Sequence, residues 1–125
     1  MAKVLLVIGD AAEALDTFYP LWRVIEEGYE AVVAAPEKKV YHLVMHEIPP
    51  GWEVTKESPS YHWPSDIAFR DVKPEEYIGL FLSGGRAPEY LRYDQDLMRI
   101  TRHFFEHQKP VAVVVMEPRS LLRRM

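Results

Sequence analysis

The sequence predicts an α/β fold, an open three-layer sandwich with helices on both faces of a mostly parallel sheet. Amphipathic helical segments alternate with apolar runs, which is the pattern of strand–helix–strand units. The apolar runs are short and rich in β-branched residues, as strands buried on both faces are. They lie at residues 3–8, 31–35, 78–82 and 111–115. In such sheets a functional site lies at the carboxyl ends of the strands.

The first unit is a strand, a helix over residues 11–27 and a second strand. Apolar residues recur in the helix at spacings of three and four, which predicts the face that packs on the sheet. They are Leu15, Phe18, Trp22 and Ile25. Pro20 is expected to weaken one backbone bond, and Gly28 ends the helix. The crossover is expected to be right-handed.

Residues 37–72 are less regular. Strand-forming residues at 41–45 and 52–54 flank a Pro-Pro-Gly turn at 49–51, which predicts a small antiparallel hairpin. Residues 58–65 are predicted to form a loop, and residues 67–69 a short strand.

The alternation resumes after Asp71. One helical turn over 73–77 precedes the third strand, and a Ser-Gly-Gly-Arg turn follows that strand. A helical turn at Pro88 and a helix over 94–107 come next, the latter with Leu97, Ile100 and Phe104 on its inner face. The fourth strand follows Pro110. Residues 116–125 form an atypical, arginine-containing tail.

The composition restricts the classes of function. The 125 residues fit one domain, 1–125, with a net charge of −4, no cysteine and no apolar run that could span a membrane. We therefore expect neither a nucleic-acid nor a membrane partner, and we expect a cytoplasmic location without a signal peptide. No nucleotide-phosphate or metal motif is present, so no cofactor and no metal are predicted.

Two features at the predicted strand ends are candidate site residues. Glu13 follows the first strand, where partial burial would let its carboxyl exchange a proton; alternatively, Asp10 and Glu13 form a helix capping box. Gly84 and Gly85 follow the third strand and would direct backbone N–H groups at an oxyanion; alternatively, they only provide a turn with positive φ.

Histidines and aromatic residues offer weaker candidates. His42 and His46 are too far apart along an extended strand to share a metal. His103 and His107 lie four residues apart on a helix, where they form either a two-ligand clip or part of a solvated face. The Tyr-His-Trp run at 61–63 is a candidate subunit contact.

Three segments together resemble the ThiJ/PfpI family. The first, over residues 71–92, is DVKPEEYIGLFLSGGRAPEYLR; the others are EALDTFYP at 13–20 and KPVAVV at 109–114. This family belongs with the class I glutamine-amidotransferase-like domains and the Parkinsonism-associated deglycase. The resemblance implies a flavodoxin-like sandwich, homo-oligomers, and cysteine-dependent hydrolase, deglycase, glyoxalase or intracellular-protease activity. It also implies that Glu13 is the conserved glutamate and that Gly84 and Gly85 form the oxyanion site.

The resemblance breaks at the position of the family's nucleophilic cysteine. That position is Val115, and the usual His and Gly after it are Met116 and Glu117. The resemblance therefore predicts a C-terminally truncated, inactive form that would act on a small-molecule substrate only if the nucleophile were restored. A frameshift, a truncation and a divergent tail remain open.

Two other functions remain open beside this one: a non-catalytic oligomerisation protein and a flavodoxin-like regulatory module. A phosphoacceptor receiver would need an acidic residue at the end of the third strand, where Ser83 stands.

Overall fold

The protein is described by a computed structural model over residues 1–114. Five parallel strands form the central sheet in the order β5-β2-β1-β6-β7, which confirms the predicted α/β class. Because β1 lies in the middle, it is hydrogen-bonded on both sides, to β2 and to β6. The strands are β1 (Lys3–Val7), β2 (Glu30–Ala35), β5 (Ile67–Ala68), β6 (Gly79–Leu82) and β7 (Val111–Val113).

The strand order fixes where the helices lie. The chain moves from β1 to β2 in one direction across the sheet and from β6 to β7 in the other. Right-handed crossovers in opposite directions place their helices on opposite faces, and the order reverses between β1 and β6. The helices are α1 (Ala14–Glu26), α2 (Ala87–Leu91) and α3 (Gln95–Glu106), with 3-10 turns at Phe69–Asp71 and Pro74–Glu76. None of the helices within residues 1–114 is long and apolar enough to cross a membrane.

A two-stranded antiparallel hairpin, β3 (Val40–Glu47) and β4 (Lys56–Pro64), stands apart from the central sheet. The hairpin itself was expected, but its second strand was misplaced. The predicted strand at 52–54 belongs to the connection, and most of the predicted loop at 58–65 is β4. Pro59 and Pro64 lie within β4, although proline has no backbone N–H to donate to a strand ladder. They are accommodated because a strand with a single partner needs ladder N–H groups on one side only.

Helix α1 presents a different face to the sheet than its large apolar residues predicted. Ala14, Thr17 and Leu21 are buried, while Trp22 is 48% exposed. Leu15 and Ile25 are exposed as well, and Phe18 is half-buried. The physical reason is a close approach in the first half of the helix: the Thr17 and Ser83 side-chain oxygens lie 2.7 Å apart, which leaves room for small residues only around this contact. Thus three residues of the predicted core stripe, Leu15, Trp22 and Ile25, lie on the outer face of the helix, while Phe18 packs against the edge of the core.

The second half of the chain follows the prediction more closely. Leu97, Ile100 and Phe104 of α3 are all fully buried. Asp94 caps the helix by accepting a hydrogen bond from the backbone N–H of Leu97 at 3.0 Å. Helix α3 packs against β6 on the face of the sheet opposite α1. It therefore supports the strand whose end forms part of the site described next.

Candidate functional site

Two loops meet at the carboxyl ends of β1 and β6, where the strand order reverses. The N–H of Glu13 donates to the carbonyl of Gly84 at 3.2 Å, and the N–H of Arg86 donates to the carbonyl of Ala11 at 3.0 Å. These two bonds join the β1–α1 loop and the β6–α2 loop in one packed region, at the position where open α/β sheets have their ligand-binding crevice. We call this region the switch-point crevice, defined by residues 10–17 and 83–86. It brings together Glu13, Gly84 and Gly85, three of the residues singled out from the sequence.

Gly85 is where the two loops come closest. Its φ is +85°, and a Cβ at this position would lie 2.5 Å from the Ala11 carbonyl oxygen and 2.7 Å from the Glu13 nitrogen. The residue must therefore be glycine for the loops to pair. The pairing uses the Gly84 carbonyl and the Arg86 N–H, so the N–H of Gly85 takes no part in it. The turn interpretation accounts for the glycine, and the oxyanion role stays a prediction.

Glu13 is itself the N-cap of α1. Its Oε2 accepts from the backbone N–H of Asp16 at 2.9 Å, which satisfies one of the free donors of the first turn. The capping box with Asp10 is therefore wrong in its details: Asp10 Oδ1 accepts instead from the backbone N–H of His42 in β3. Glu13 is only 6% exposed, and its Oε1 is buried without a hydrogen-bond partner among residues 1–114. One oxygen thus caps the helix, while the other makes no hydrogen bond in this part of the chain.

Two hydroxyl groups beneath Glu13 were missed in the sequence. Thr17 Oγ1 donates to the Glu13 carbonyl at 2.9 Å and, having a single proton, accepts from Ser83 Oγ at 2.7 Å. Both residues are buried. This chain connects α1 to the end of β6. The available signal was the four-residue spacing from Glu13, which places Thr17 on the same helix face.

Asp16 is a second carboxyl group in the crevice that the sequence did not indicate. Partial burial raises its pKa to about 6, and the charge and hydrogen bonding of Glu13 add to the effect, while His46 acts in the opposite direction. Two carboxyl groups in a poorly solvated site disfavour each other's ionised form. The crevice can therefore hold a proton at a pH where an isolated aspartate would have lost it.

An ion-paired cluster from the hairpin borders the crevice. Glu57 on β4 accepts from Arg86 Nε at 2.7 Å and lies 3.2 Å from His46 Nε2 on β3. The hydrogen bond from Arg86, with a smaller contribution from His46, holds the pKa of Glu57 below its usual range. A cavity of about 400 Å³ lies beside this cluster, lined by Asp10, Ala11, His42, Leu43, Val44, Glu57, Ser58 and Pro59.

The remaining histidines form ring contacts. His42 and His62 face each other across the hairpin with ring centroids 4.3 Å apart. The rings of His103 and His107 stack at 4.0 Å, but Lys109 Nζ lies 2.9 Å from His103 Nε2 and occupies that nitrogen. Within residues 1–114 no three His, Asp or Glu side chains are grouped to hold a metal. The absence of a metal and of a cofactor stays a prediction for the whole chain.

Val115, the proposed position of the missing nucleophile, and the tail at 116–125 lie outside the described residues. The described structure ends at Val114, whose N–H donates to the Leu82 carbonyl at 3.2 Å. Residue 114 is thus attached to the end of β6, immediately before Ser83.

These features define a flavodoxin-like α/β protein with a buried acid and a glycine turn at its switch point. The model of the DJ-1/PfpI family matches residues 2–125, and the chain belongs to this family. It is 36% identical over 120 residues to Deglycase TK1284 of Thermococcus kodakarensis and 32% identical over 120 residues to Deglycase PfpI of Pyrococcus furiosus. Each alignment covers 96% of this chain and 64% of the relative. The chain therefore spans a little less than two thirds of the length of these relatives.

Solved structures confirm the fold. VC2308 protein superposes with a TM-score of 0.80 at 15% identity, over 99% of this chain and 58% of that one. Oxidised Toxoplasma gondii DJ-1 gives a TM-score of 0.78 at 19% identity, over 99% and 61% of the two chains. At these identities the likeness establishes the architecture alone.

Proposed function

We propose that this chain is a DJ-1/PfpI family member that retains the acid and the glycine turn of the family's site but does not carry out cysteine-dependent chemistry. One observation carries the proposal: the 125 residues contain no cysteine. The residue at the family's nucleophile position is Val115, whose aliphatic side chain has no group that could attack a carbonyl.

The retained residues have assignable roles in a complete site. A cysteine thiolate would be the nucleophile, and Glu13 would take or return its proton. Backbone N–H groups at Gly84 and Gly85 would stabilise the oxyanion. Support for these roles comes from the burial of Glu13, from the lack of a hydrogen-bond partner for its Oε1 within residues 1–114, and from the contact of its loop with the glycine turn.

The test is consumption of methylglyoxal by the purified chain, with Glu13→Ala as comparison. We expect neither protein to exceed the protein-free blank. A wild-type rate above the blank that falls in Glu13→Ala would overturn the proposed inactivity.

A restored site gives the converse test. The triple substitution Val115→Cys, Met116→His and Glu117→Gly rebuilds the family's elbow residues, and we expect it to consume methylglyoxal in a Glu13-dependent manner. Val114→Cys is the matched control, because it adds a thiol one residue away and reports simple thiol reactivity. Equal rates for the two proteins would contradict the site assignment.

A specific surface favours a second, non-catalytic function in self-association. Phe18 and Trp22 of α1 pack edge-to-face with Tyr61 and Trp63 of β4, with ring centroids 5.3–6.0 Å apart. We call these four residues the aromatic surface. They line an open cavity of about 310 Å³, and Tyr61 is 71% exposed. A contiguous exposed apolar surface of this kind is typical of protein interfaces, and we propose a second copy of the chain as its partner.

The oligomeric state tests this second proposal. Light scattering of the wild type at several concentrations is expected to show a homo-oligomer, and Trp22→Asp is expected to dissociate it. Trp52→Asp is the matched control, since Trp52 is 53% exposed in the connection between β3 and β4. A monomeric wild type would contradict the proposal. A cytoplasmic location and the absence of nucleic-acid and membrane partners remain expectations from composition.

A further inference from the structure

We propose that His42 and His62 form a two-ligand site for a divalent transition-metal ion, with Cu²⁺ as the ion that fits it best. The two imidazoles lie opposite each other on β3 and β4 of the hairpin. No sequence motif marks this site, because its ligands come from two strands joined by a long connection. The inference goes beyond the proposed function, since the site lies outside the switch-point crevice. It also departs from the prediction that no metal binds, which rested on motifs alone.

The register of the hairpin brings the two side chains together. The backbone N–H of His42 donates to Asp10 Oδ1 at 2.9 Å, and its carbonyl accepts from the N–H of Ala11 at 2.9 Å. Both backbone polar groups of His42 therefore face the β1–α1 loop, which makes His42 and His62 a non-hydrogen-bonded pair. Opposed side chains are closest in this type of antiparallel pair.

The ring positions suit a shared metal ion. The centroids of the two imidazoles are 4.3 Å apart, with an angle of 74° between the ring planes. Two imidazoles bound at about 2.0–2.1 Å to one metal, with a right angle between the two bonds, have centroids about 4.5 Å apart. A tetrahedral angle would separate the centroids by about 5 Å. The pair therefore fits the right-angled ligand positions of Cu²⁺ or Ni²⁺ more closely than the tetrahedral positions of Zn²⁺.

The ring nitrogens of this pair are available to a ligand. Within residues 1–114 neither imidazole of the pair forms a hydrogen bond or an ion pair, and both residues are exposed. By contrast, His46 Nε2 lies 3.2 Å from Glu57 Oε1, and His103 Nε2 lies 2.9 Å from Lys109 Nζ. Because exposed side chains change rotamer rapidly, one nitrogen from each ring of the pair can reach a shared ion without a change in the backbone.

Both strands are held in place at the site. His42 is bound to the β1–α1 loop through its backbone. The neighbours of His62, Tyr61 and Trp63, pack their rings against Phe18 of α1. Successive side chains of a strand point to opposite faces, so His62 points away from these aromatic contacts. A metal ion therefore meets two ligands whose backbones are already fixed, which lowers the entropic cost of binding.

The chemistry of the donor atoms selects the ion. Imidazole nitrogen suits copper, nickel and zinc, whereas Mg²⁺ and Ca²⁺ prefer oxygen ligands. Among the divalent ions of this series, Cu²⁺ binds a given set of nitrogen ligands most tightly. The Asp10 carboxylate, which accepts from the backbone N–H of His42, adds a negative charge close to the site. Water completes the coordination, so the ion is exchangeable and joins β3 to β4.

Titration of the full chain with CuCl₂, followed by electron paramagnetic resonance, tests the proposal. Glycine is present at neutral pH to compete for weakly bound Cu²⁺. We expect one Cu²⁺ per chain, coordinated by two imidazole nitrogens. His42→Ala and His62→Ala should each show one imidazole and bind Cu²⁺ at least about tenfold more weakly, because the remaining ligand loses its tethered partner. His107→Ala, at an exposed histidine that ends α3, is the matched control and should leave the affinity unchanged.

Urea unfolding provides a second measurement. Cu²⁺ should raise the urea midpoint of the wild type and not that of His62→Ala, because the two ligands are adjacent only in the folded hairpin. MgCl₂ at the same concentration should raise neither midpoint.

Three results would overturn the proposal. They are equal Cu²⁺ affinity in the wild type and in His62→Ala, fewer than two imidazoles in the wild-type spectrum, and one Cu²⁺ for every two chains. Circular dichroism verifies that the variants are folded, and if they are not, the wild-type spectrum and stoichiometry decide alone. Because no turnover is measured, these outcomes are independent of the methylglyoxal assay.

Discussion

The switch-point crevice and the aromatic surface lie on the two sides of the same helix and are built in opposite ways. In the crevice, Ala14 and Thr17 are buried against loops whose backbones are hydrogen-bonded to each other. On the aromatic surface, the large rings of Phe18 and Trp22 contact other rings at their edges and remain partly open to solvent. The side of α1 that bears Ala14 and Thr17 is tightly packed, and the side that bears Phe18 and Trp22 is accessible to solvent.

The difference teaches that side-chain size does not identify the buried face where a helix approaches a sheet closely. Burial of a large ring stabilises more than burial of a methyl group, but only where there is room for the ring. The crevice has no room for a ring, because even one additional carbon atom at Gly85 would overlap the backbone of Ala11 and Glu13. We therefore expect an added carbon atom in the crevice to be more damaging than the same addition at an exposed turn.

Gly85→Ala tests the tight packing of the crevice and should be strongly destabilising. Both the positive φ and the contacts of the new Cβ oppose alanine, whereas Gly51, with φ +83° and nothing within 4 Å, provides a control for φ alone. We expect Gly51→Ala to cost about 1–2 kcal/mol and Gly85→Ala about 2 kcal/mol more from overpacking. Urea unfolding of the two variants measures this difference. Equal losses would mean that the two loops can separate without cost.

The two faces of α1 can be compared directly at adjacent residues. Leu21 is 3% exposed and Trp22 is 48% exposed. Leu21→Ala is expected to lower the free energy of unfolding by about 2–5 kcal/mol. Trp22→Ala should lower it by about 1 kcal/mol, the value of an aromatic edge contact. The measurement is made on dilute protein, so that any association does not contribute. A larger loss of unfolding free energy in Trp22→Ala than in Leu21→Ala would mean that the buried face of α1 is the one predicted from the sequence.

These comparisons also show how far the sequence predicts this molecule. The buried runs in β1, β2 and β6 were recognisable because each is apolar throughout, as strands inside a parallel sheet must be. Glu13 and Gly85 were recognisable because they follow such strands. The outward face of α1 and the extent of β4 could not be recognised from the sequence. The distance between helix and sheet, and the tolerance of proline at a strand edge, depend on tertiary contacts. Asp16 and Ser83 were missed for the same reason.

Thr17→Val should reveal the energy of the hydroxyl chain. Valine keeps the shape of threonine but removes the acceptor of Ser83 Oγ, so a buried hydroxyl loses its 2.7 Å partner. We expect a loss of about 1–3 kcal/mol in the free energy of unfolding. Ser83→Ala and the double variant complete a cycle. If the two hydroxyl groups act as a pair, the double variant loses less than the sum of the single losses, and strict additivity would contradict the bond.

Glu57→Gln should have the smallest effect on the free energy of unfolding, and this effect should depend on pH. Its folded-state pKa is lowered, chiefly by Arg86, from a usual 4.5. The corresponding stability is present above pH 4.5 and is lost as the pH falls through the folded-state value. We expect Glu57→Gln to cost about 0.5 kcal/mol at pH 7, the range of an exposed ion pair, and nothing at pH 3. Glu53→Gln, in the β3–β4 connection, is the control; a pH-independent loss in Glu57→Gln would exclude the ion pair as the cause.

The central position of β1 has a consequence for how the chain folds during synthesis. The strand is completed at Val7, yet one of its two partners, β6, pairs Val4 with Gly79 and Val7 with Leu82. A nascent chain therefore carries an apolar strand with one unpaired edge while more than seventy further residues are made. Contacts so distant in sequence form slowly, and exposed strand edges invite pairing with other chains. We therefore expect the nascent chain to be most prone to pairing with other chains in the interval between the emergence of β1 and that of β6.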